Sequence, residues 1–172
     1  MKNIVLIGMP AAGKSTVGVL LAKTLGFAFV DTDLIIQQNT GRLLQDIIDR
    51  DGLDAFCIEE ERAICSVSFE QNAVIATGGS AVYSREAMMF LKKYGLVYYL
   101  SLPSEELSKR LFNITTRGIA KHPDETIEDV FNKRVTLYRE YADVTVDCLG
   151  KTAEETGAEI GAYHRTAGGE NR

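Results

Sequence analysis

The chain has 172 residues, 45% of them apolar and 25% charged, with a formal net charge of −5. That length suits one domain with a substantial core, and the acidic balance excludes a general nucleic-acid binder, whose surface must neutralise phosphates. Cys57, Cys65 and Cys148 are odd in number and lack C-x-x-C spacing, which excludes a disulfide framework and a zinc site and fits a reducing cytosol. No apolar run approaches the ~18 residues of a membrane span and no signal-peptide core follows Met1, so a cytoplasmic protein with no membrane partner is expected.

In chain order, Asn3–Ile7 reads as a buried strand and Lys14–Leu25 as a helix with Val17, Leu20, Leu21 and Leu25 on one side. Between them Gly8-Met-Pro-Ala-Ala-Gly-Lys-Ser-Thr16 completes a G-x-x-x-x-G-K-S phosphate-binding loop. Gly8 and Gly13 allow close backbone approach, and the loop amides from Ala11 and Ala12 through Thr16 converge with the helix N-terminus on one anion. Lys14, at a helix start expected to face solvent, would reach the β- and γ-phosphates, and the Ser15 hydroxyl would meet Mg²⁺. The chain is therefore expected to bind a nucleoside triphosphate.

A second strand, Ala28–Val30, ends in Asp31-Thr32-Asp33. Carboxylates two apart on a pleated strand share a side, so one would hold a Mg²⁺ water and the other accept from a substrate hydroxyl. The alternative is a polar strand end whose acid caps the next helix. Helices are expected at Leu34–Asn39, Leu43–Asp49 and Leu53–Phe69, then a strand at Ala73–Ala76 running into Thr77-Gly78-Gly79-Ser80. The paired glycines would leave amides open to a small substrate, or simply make a tight turn before the Ser84–Lys93 helix. Further on come a strand at Val97–Leu100, a helix at Ser104–Phe112, an irregular stretch over 113–125 expected to be a lid, a helix at Thr126–Tyr141, a strand at Val144–Asp147 and a glycine-containing helix at Ala153–Tyr163. Alternating strands and helices predict a three-layer α/β/α fold with a central five-stranded parallel sheet and a lid segment. One domain spans 1–164, and the polar run 165–172 is expected to stay disordered. Arg117 in the lid would close onto the transferring phosphoryl group and Arg134 would fork onto an anionic substrate group, although any single arginine has a surface role as its alternative.

The set G-M-P-A-A-G-K-S-T, D-T-D, T-G-G, an arginine in the lid stretch and R-x-x-L-Y-R-E-Y-A resembles the shikimate kinases, small P-loop kinases of the nucleoside-monophosphate-kinase-like fold. The resemblance runs in order from residue 2 to about 160. It implies ATP- and Mg²⁺-dependent phosphorylation of a ring hydroxyl of shikimate, a step of aromatic amino acid biosynthesis, with a small-molecule acceptor as the partner and a monomer as the expected state. It further implies that Asp31 holds Mg²⁺ with Ser15, Asp33 binds the acceptor hydroxyls, Gly78 and Gly79 line the acceptor pocket, Arg134 binds its carboxylate, Arg117 is the lid arginine and Arg110 flanks adenine.

Three departures from the pattern matter, all on the acceptor side. The family's Phe-Arg is Phe56-Cys57, and a thiol is no substitute for a guanidinium in a carboxylate clamp. The third glycine is Ser80, and the lid's Arg-Pro-Leu-Leu is Arg117-Gly118-Ile119-Ala120. Two other readings therefore stand beside shikimate phosphorylation. One is a kinase for another small polyol or hydroxy acid; the other is a nucleotide-dependent binding or regulatory protein without acceptor catalysis.

Overall fold

Helix-forming and strand-forming segments alternate along the computed structural model, which describes residues 2–68, 72–112 and 119–169. The order is β1 (Asn3–Ile7), α1 (Lys14–Leu25), β2 (Ala28–Asp31), α2 (Thr32–Thr40), α3 (Leu44–Ser66), β3 (Ala73–Ala76), a 3₁₀ turn (Ala81–Tyr83), α4 (Arg85–Tyr94), β4 (Gly95–Ser101), α5 (Ser104–Phe112), α6 (Ile127–Tyr141), β5 (Val144–Asp147) and α7 (Ala153–Gly169). The five strands form one parallel sheet, as expected, and their order is β2-β3-β1-β4-β5. Every residue of β1 and β3 is buried. Short continuous apolar runs of this kind are what a parallel sheet with both faces covered requires. Helix α1 pairs with α7, while α3, α4 and α6 meet around the 3₁₀ turn.

The differences from expectation have local causes. Helices 43–49 and 53–69 join into α3, which still breaks at Gly52, where φ is 86° and ψ 174°. The joined helix stops at Ser66, three residues short. At the other end α7 continues to Gly169, so 165–169 are helical instead of disordered, and 170–172 lie outside the described residues. One reason α7 is anchored is buried His164, whose Nδ1 is 3.0 Å from the Tyr98 hydroxyl on β4 and whose Nε2 is 2.9 Å from the Lys2 carbonyl.

The sheet order places a switch at β1: the chain leaves it toward β2 and β3 on one side and later fills β4 and β5 on the other. In open α/β sheets ligands bind at the carboxyl ends of the strands beside such a switch. The loops after β1 and β3 and the end of β2 meet there.

Candidate active site

The phosphate-binding loop is a curled turn held by its own backbone. Ala12 donates its amide to Met9 O at 3.1 Å, and Val17 donates to Gly13 O at 2.8 Å. At Gly8 φ is +145°, and a Cβ there would stand 2.8 Å from the Leu100 carbonyl oxygen on β4, so a side chain is shut out. Ala11 takes φ 67°, a left-handed conformation that costs an L residue roughly 1–2 kcal/mol. Lys14 is buried, not solvent-facing as expected; its Nζ donates to Gly8 O at 2.8 Å and to Met9 O at 2.9 Å. The ammonium is thus stowed inside the loop's curve, where an anion's oxygens would exchange with the two carbonyls. Thr16 is exposed on the first turn of α1.

Asp31 and Asp33 are not side by side on a strand. Asp31 ends β2 and caps α2, its Oδ1 accepting the Asp33 amide at 3.0 Å, while Thr32 and Asp33 already belong to the helix. The capping alternative is therefore correct, and it coexists with a polar one: Ser15 Oγ donates to Asp31 Oδ2 at 2.7 Å. Hard oxygen donors of this kind suit Mg²⁺, which keeps most of its waters and needs only one or two protein oxygens beside substrate phosphates. Among the described residues no group of three or more His, Cys, Asp or Glu side chains could form an all-protein metal cage.

The T-G-G turn is tied to three neighbours. Thr77 donates from both its amide and its hydroxyl to Leu6 O on β1, Gly78 N–H donates to the buried Thr32 hydroxyl at 3.3 Å, and Gly79 O accepts from Tyr138 on α6 at 2.6 Å. A Cβ at Gly78 would lie 2.0 Å from Glu60 Oε1 and 2.9 Å from Asp33 Oδ1, and one at Gly79 would meet Pro10 at 2.6 Å. Glycine is required here for space: the turn passes between two carboxylates and the phosphate loop.

A cleft opens beside this turn, lined by Pro10, Asp33, Phe56, Gly78, Gly79, Ser80, Ala120 and Arg134 among others. Of the lining residues Arg134 is the one cation. Its helix buries Val130, Arg134 and Tyr138, one residue every four, so the guanidinium enters the core side of α6. Arg134 is fully buried; Nε donates to the Tyr83 hydroxyl at 3.0 Å, Nη2 donates to Ala120 O, and the guanidinium carbon lies 5.0 Å from the Tyr83 ring centre. Its Nη1 has no hydrogen-bond partner, and the other buried side-chain atom without one among the described residues is Glu60 Oε1.

The remaining candidates are less convergent. Arg110 pairs with Glu106 one turn back on α5 at 3.0 Å, the surface role that was its alternative. Arg117 and Gly118 lie outside the described residues, as does 113–118 of the expected lid. Ile119 and Ala120, just beyond, pack against the two hydrophobic cores. Cys57 is half-buried and absent from the cleft lining; burial first, then the charge of Glu60, pushes its thiol up to about 11, so it stays protonated and neutral. Ser80 is buried and turns its hydroxyl away from the cleft to donate to Glu60 Oε2.

Glu60, Thr32, Tyr83 and Tyr138 are site-building residues that motif reading passed over. Glu60 left a signal: it shares the helical spacing of buried Phe56, Ala63 and Ile64, an acid at a position that should be apolar. Tyr138 likewise follows Arg134 by four. Thr32 and Tyr83 carried none.

Sequence and structure comparisons agree with this geometry. A family model for shikimate kinase matches residues 10–163. The shikimate kinase of Thermodesulfovibrio yellowstonii is 40% identical over 172 residues, covering 98% of this chain and 99% of its own. That of Geobacter metallireducens is 37% identical, covering 95% and 92%. Among solved structures, Acinetobacter baumannii shikimate kinase in complex with shikimate superposes with a TM-score of 0.88 at 29% identity, over all of this chain and 96% of that one. Shikimate kinase from Aquifex aeolicus gives 0.80 at 32% identity over 97% and 99%. With a family model matching residues 10–163 and relatives 37–40% identical along nearly its whole length, this chain belongs to the shikimate kinase family.

Proposed function

We propose that the chain transfers the γ-phosphoryl group of ATP, with Mg²⁺, to a hydroxyl of shikimate, giving shikimate 3-phosphate and ADP. The observation that carries the acceptor side is Asp33 and Arg134 facing one cleft whose floor, the T-G-G turn, abuts the phosphate loop. A carboxylate seated on Arg134 Nη1 would anchor the acceptor at one end and leave its hydroxyls beside Asp33. Asp33 would accept the attacking hydroxyl's proton as the new O–P bond forms and the bond to the β-phosphate oxygen breaks, with that oxygen leaving on ADP. Lys14, the amides of Gly8 and of residues 11–16, and lid Arg117 would carry the growing negative charge. Ser15 and Asp31 would hold the Mg²⁺, which neutralises phosphate charge when bound. Arg110 would flank the adenine. The protein would work as a cytoplasmic monomer; no described helix is long and apolar enough to cross a membrane.

One observation favours a second acceptor: Arg134 is the one cation that lines the described cleft, and Cys57, outside that lining, is a neutral thiol. A small hydroxy acid or polyol that asks less of the anion site would then be the better substrate. ADP release measured with shikimate and a panel of such compounds tests both. Shikimate giving the highest kcat/KM, with a KM lowered about tenfold or more by Cys57→Arg, supports the proposal, since a charge-assisted contact contributes about 1.5–3 kcal/mol. Another compound outperforming shikimate, with Cys57→Arg harming its use, supports the second reading.

A further inference from the structure

We propose that Glu60 is a positioning residue of the acceptor site, and that it must hold a proton for an anionic acceptor to sit on Arg134. The inference rests on the acceptor reading above. Its basis is a buried, incompletely satisfied arrangement directly beneath the cleft. Glu60 is 1% exposed, Oε2 takes the Ser80 hydroxyl, and Oε1 has no partner. Arg134 is equally buried, and its Nη1 also has no partner, so the two groups neither pair with each other nor reach solvent. Glu60 Oε1 and Asp33 Oδ1 share the space in front of Gly78, at 2.0 and 2.9 Å from where a Cβ would stand.

The charges around Glu60 can be named element by element. Arg134 and the Tyr138 phenol face it from α6, Lys14 from α1 and Asp33 from α2, with Cys57 on its own helix. Both cations already have other work: Lys14 lies in the phosphate loop, and Arg134 is the anion site of the cleft. An acceptor carboxylate docking on Arg134 adds a negative charge to a buried space that already holds Asp33 and engages one of the two cations that act on Glu60. With a neutral thiol at position 57, nothing on the described side of the cleft compensates. Two like charges sharing one buried cation favour the state in which one of them is protonated.

The free protein is poised for this. Burial, opposed by the Ser80 hydrogen bond and by Arg134 and Lys14, holds the Glu60 carboxyl at about 7. Below that pH the site is ready for an anion; above it, binding must bring a proton along. Ser80, donating to Oε2, leaves Oε1 as the atom that carries the proton.

Two measurements test this on the full chain with shikimate, whose carboxylate stays ionised throughout the range used. The first is KM for shikimate, with ATP saturating, from pH 6 to 9. The parent's KM should rise toward tenfold per pH unit above about pH 7, while KM for ATP moves little. Glu60→Gln, which keeps shape and removes the titration, should give a shikimate KM that is flat with pH and lower than the parent's at pH 9. Cys57→Arg, which supplies a cation beside Glu60, should also flatten the profile. The second is titration calorimetry at pH 8 in buffers of different ionisation enthalpy: the parent should take up close to one proton on binding shikimate and Glu60→Gln close to none. A merely structural Glu60 would change stability but leave the pH slope and proton uptake as in the parent, and that result would overturn the inference. Shikimate turned over with a pH-flat KM in the parent overturns it while sparing the functional proposal; no turnover and no binding of shikimate overturns both.

Discussion

Lys14 shows how far a residue's chemistry and its setting can be read separately. The motif predicts an ammonium beside phosphates, and the fold buries it against two loop carbonyls. Lys14→Ala is expected to lower kcat by about 10²–10³, the cost of losing one preorganised group that stabilises transition-state charge. Because two carbonyls also lose their donor, a small fall in melting temperature should accompany it; turnover within tenfold of the parent would contradict the assignment. Ala11 offers an opposite test. With φ at 67°, Ala11→Gly relieves left-handed strain but adds unfolded-chain entropy, so a net gain of about 0.5–1 kcal/mol in chemical denaturation is expected. Ser80's turn toward Glu60 was not legible in the sequence, since it depends on a residue 20 positions away in the chain; nor was Ala11's left-handed backbone, which falls on a residue type that rarely adopts it.

At the scale of elements, the strand–loop–helix unit was legible almost to the residue, because an apolar run, two glycines and a periodic helix all point the same way. The D-T-D stretch was not. Strand propensity gave way to a cap that Asp31 makes with the Asp33 amide, which moves Asp33 onto the first turn of α2. Asp33 still lines the cleft; as the proposed base for the acceptor hydroxyl, its replacement in Asp33→Asn should cut kcat with shikimate by about 10²–10⁴ while affinity for a non-hydrolysable ATP analogue stays near the parent's. A collapse of ATP affinity would assign Asp33 to the metal or nucleotide instead. Helix α6 carries a second test. Tyr138 donates to Gly79 O and stacks on Tyr99 with ring centres 5.0 Å apart. Tyr138→Phe keeps the stack and loses the bond, which should lower the denaturation midpoint by an amount equivalent to about 1–2 kcal/mol and raise KM for the acceptor more than for ATP. An unchanged midpoint would mean that the turn does not depend on α6.

For the whole molecule, alternating patterns were enough to give a parallel sheet, while strand order and the buried polar groups needed the structure. Those groups also set opposite pH dependences. Glu60, buried and raised from 4.5 to about 7, binds its proton more tightly folded than unfolded. Its contribution is complete below about 4.5 and is lost as pH rises to about 7, a change on the order of 3 kcal/mol. Glu60→Gln should therefore gain on the parent through that window and hold a constant advantage above it. His164 runs the other way: burial lowers it below 6.5, so its contribution is present above 6.5 and falls as pH drops. In the neutral ring Nε2 donates to Lys2 O and Nδ1 accepts from Tyr98, and His164→Gln should weaken the acid-side loss seen in thermal melts between pH 5 and 7.

The most direct measurement of the central claim is ³¹P nuclear magnetic resonance of the parent with ATP, Mg²⁺ and shikimate. A phosphate monoester signal growing in step with ADP, absent without shikimate and nearly absent with Asp33→Asn, is the predicted result. ADP formed with inorganic phosphate and no monoester, at the same rate with and without shikimate, would contradict it.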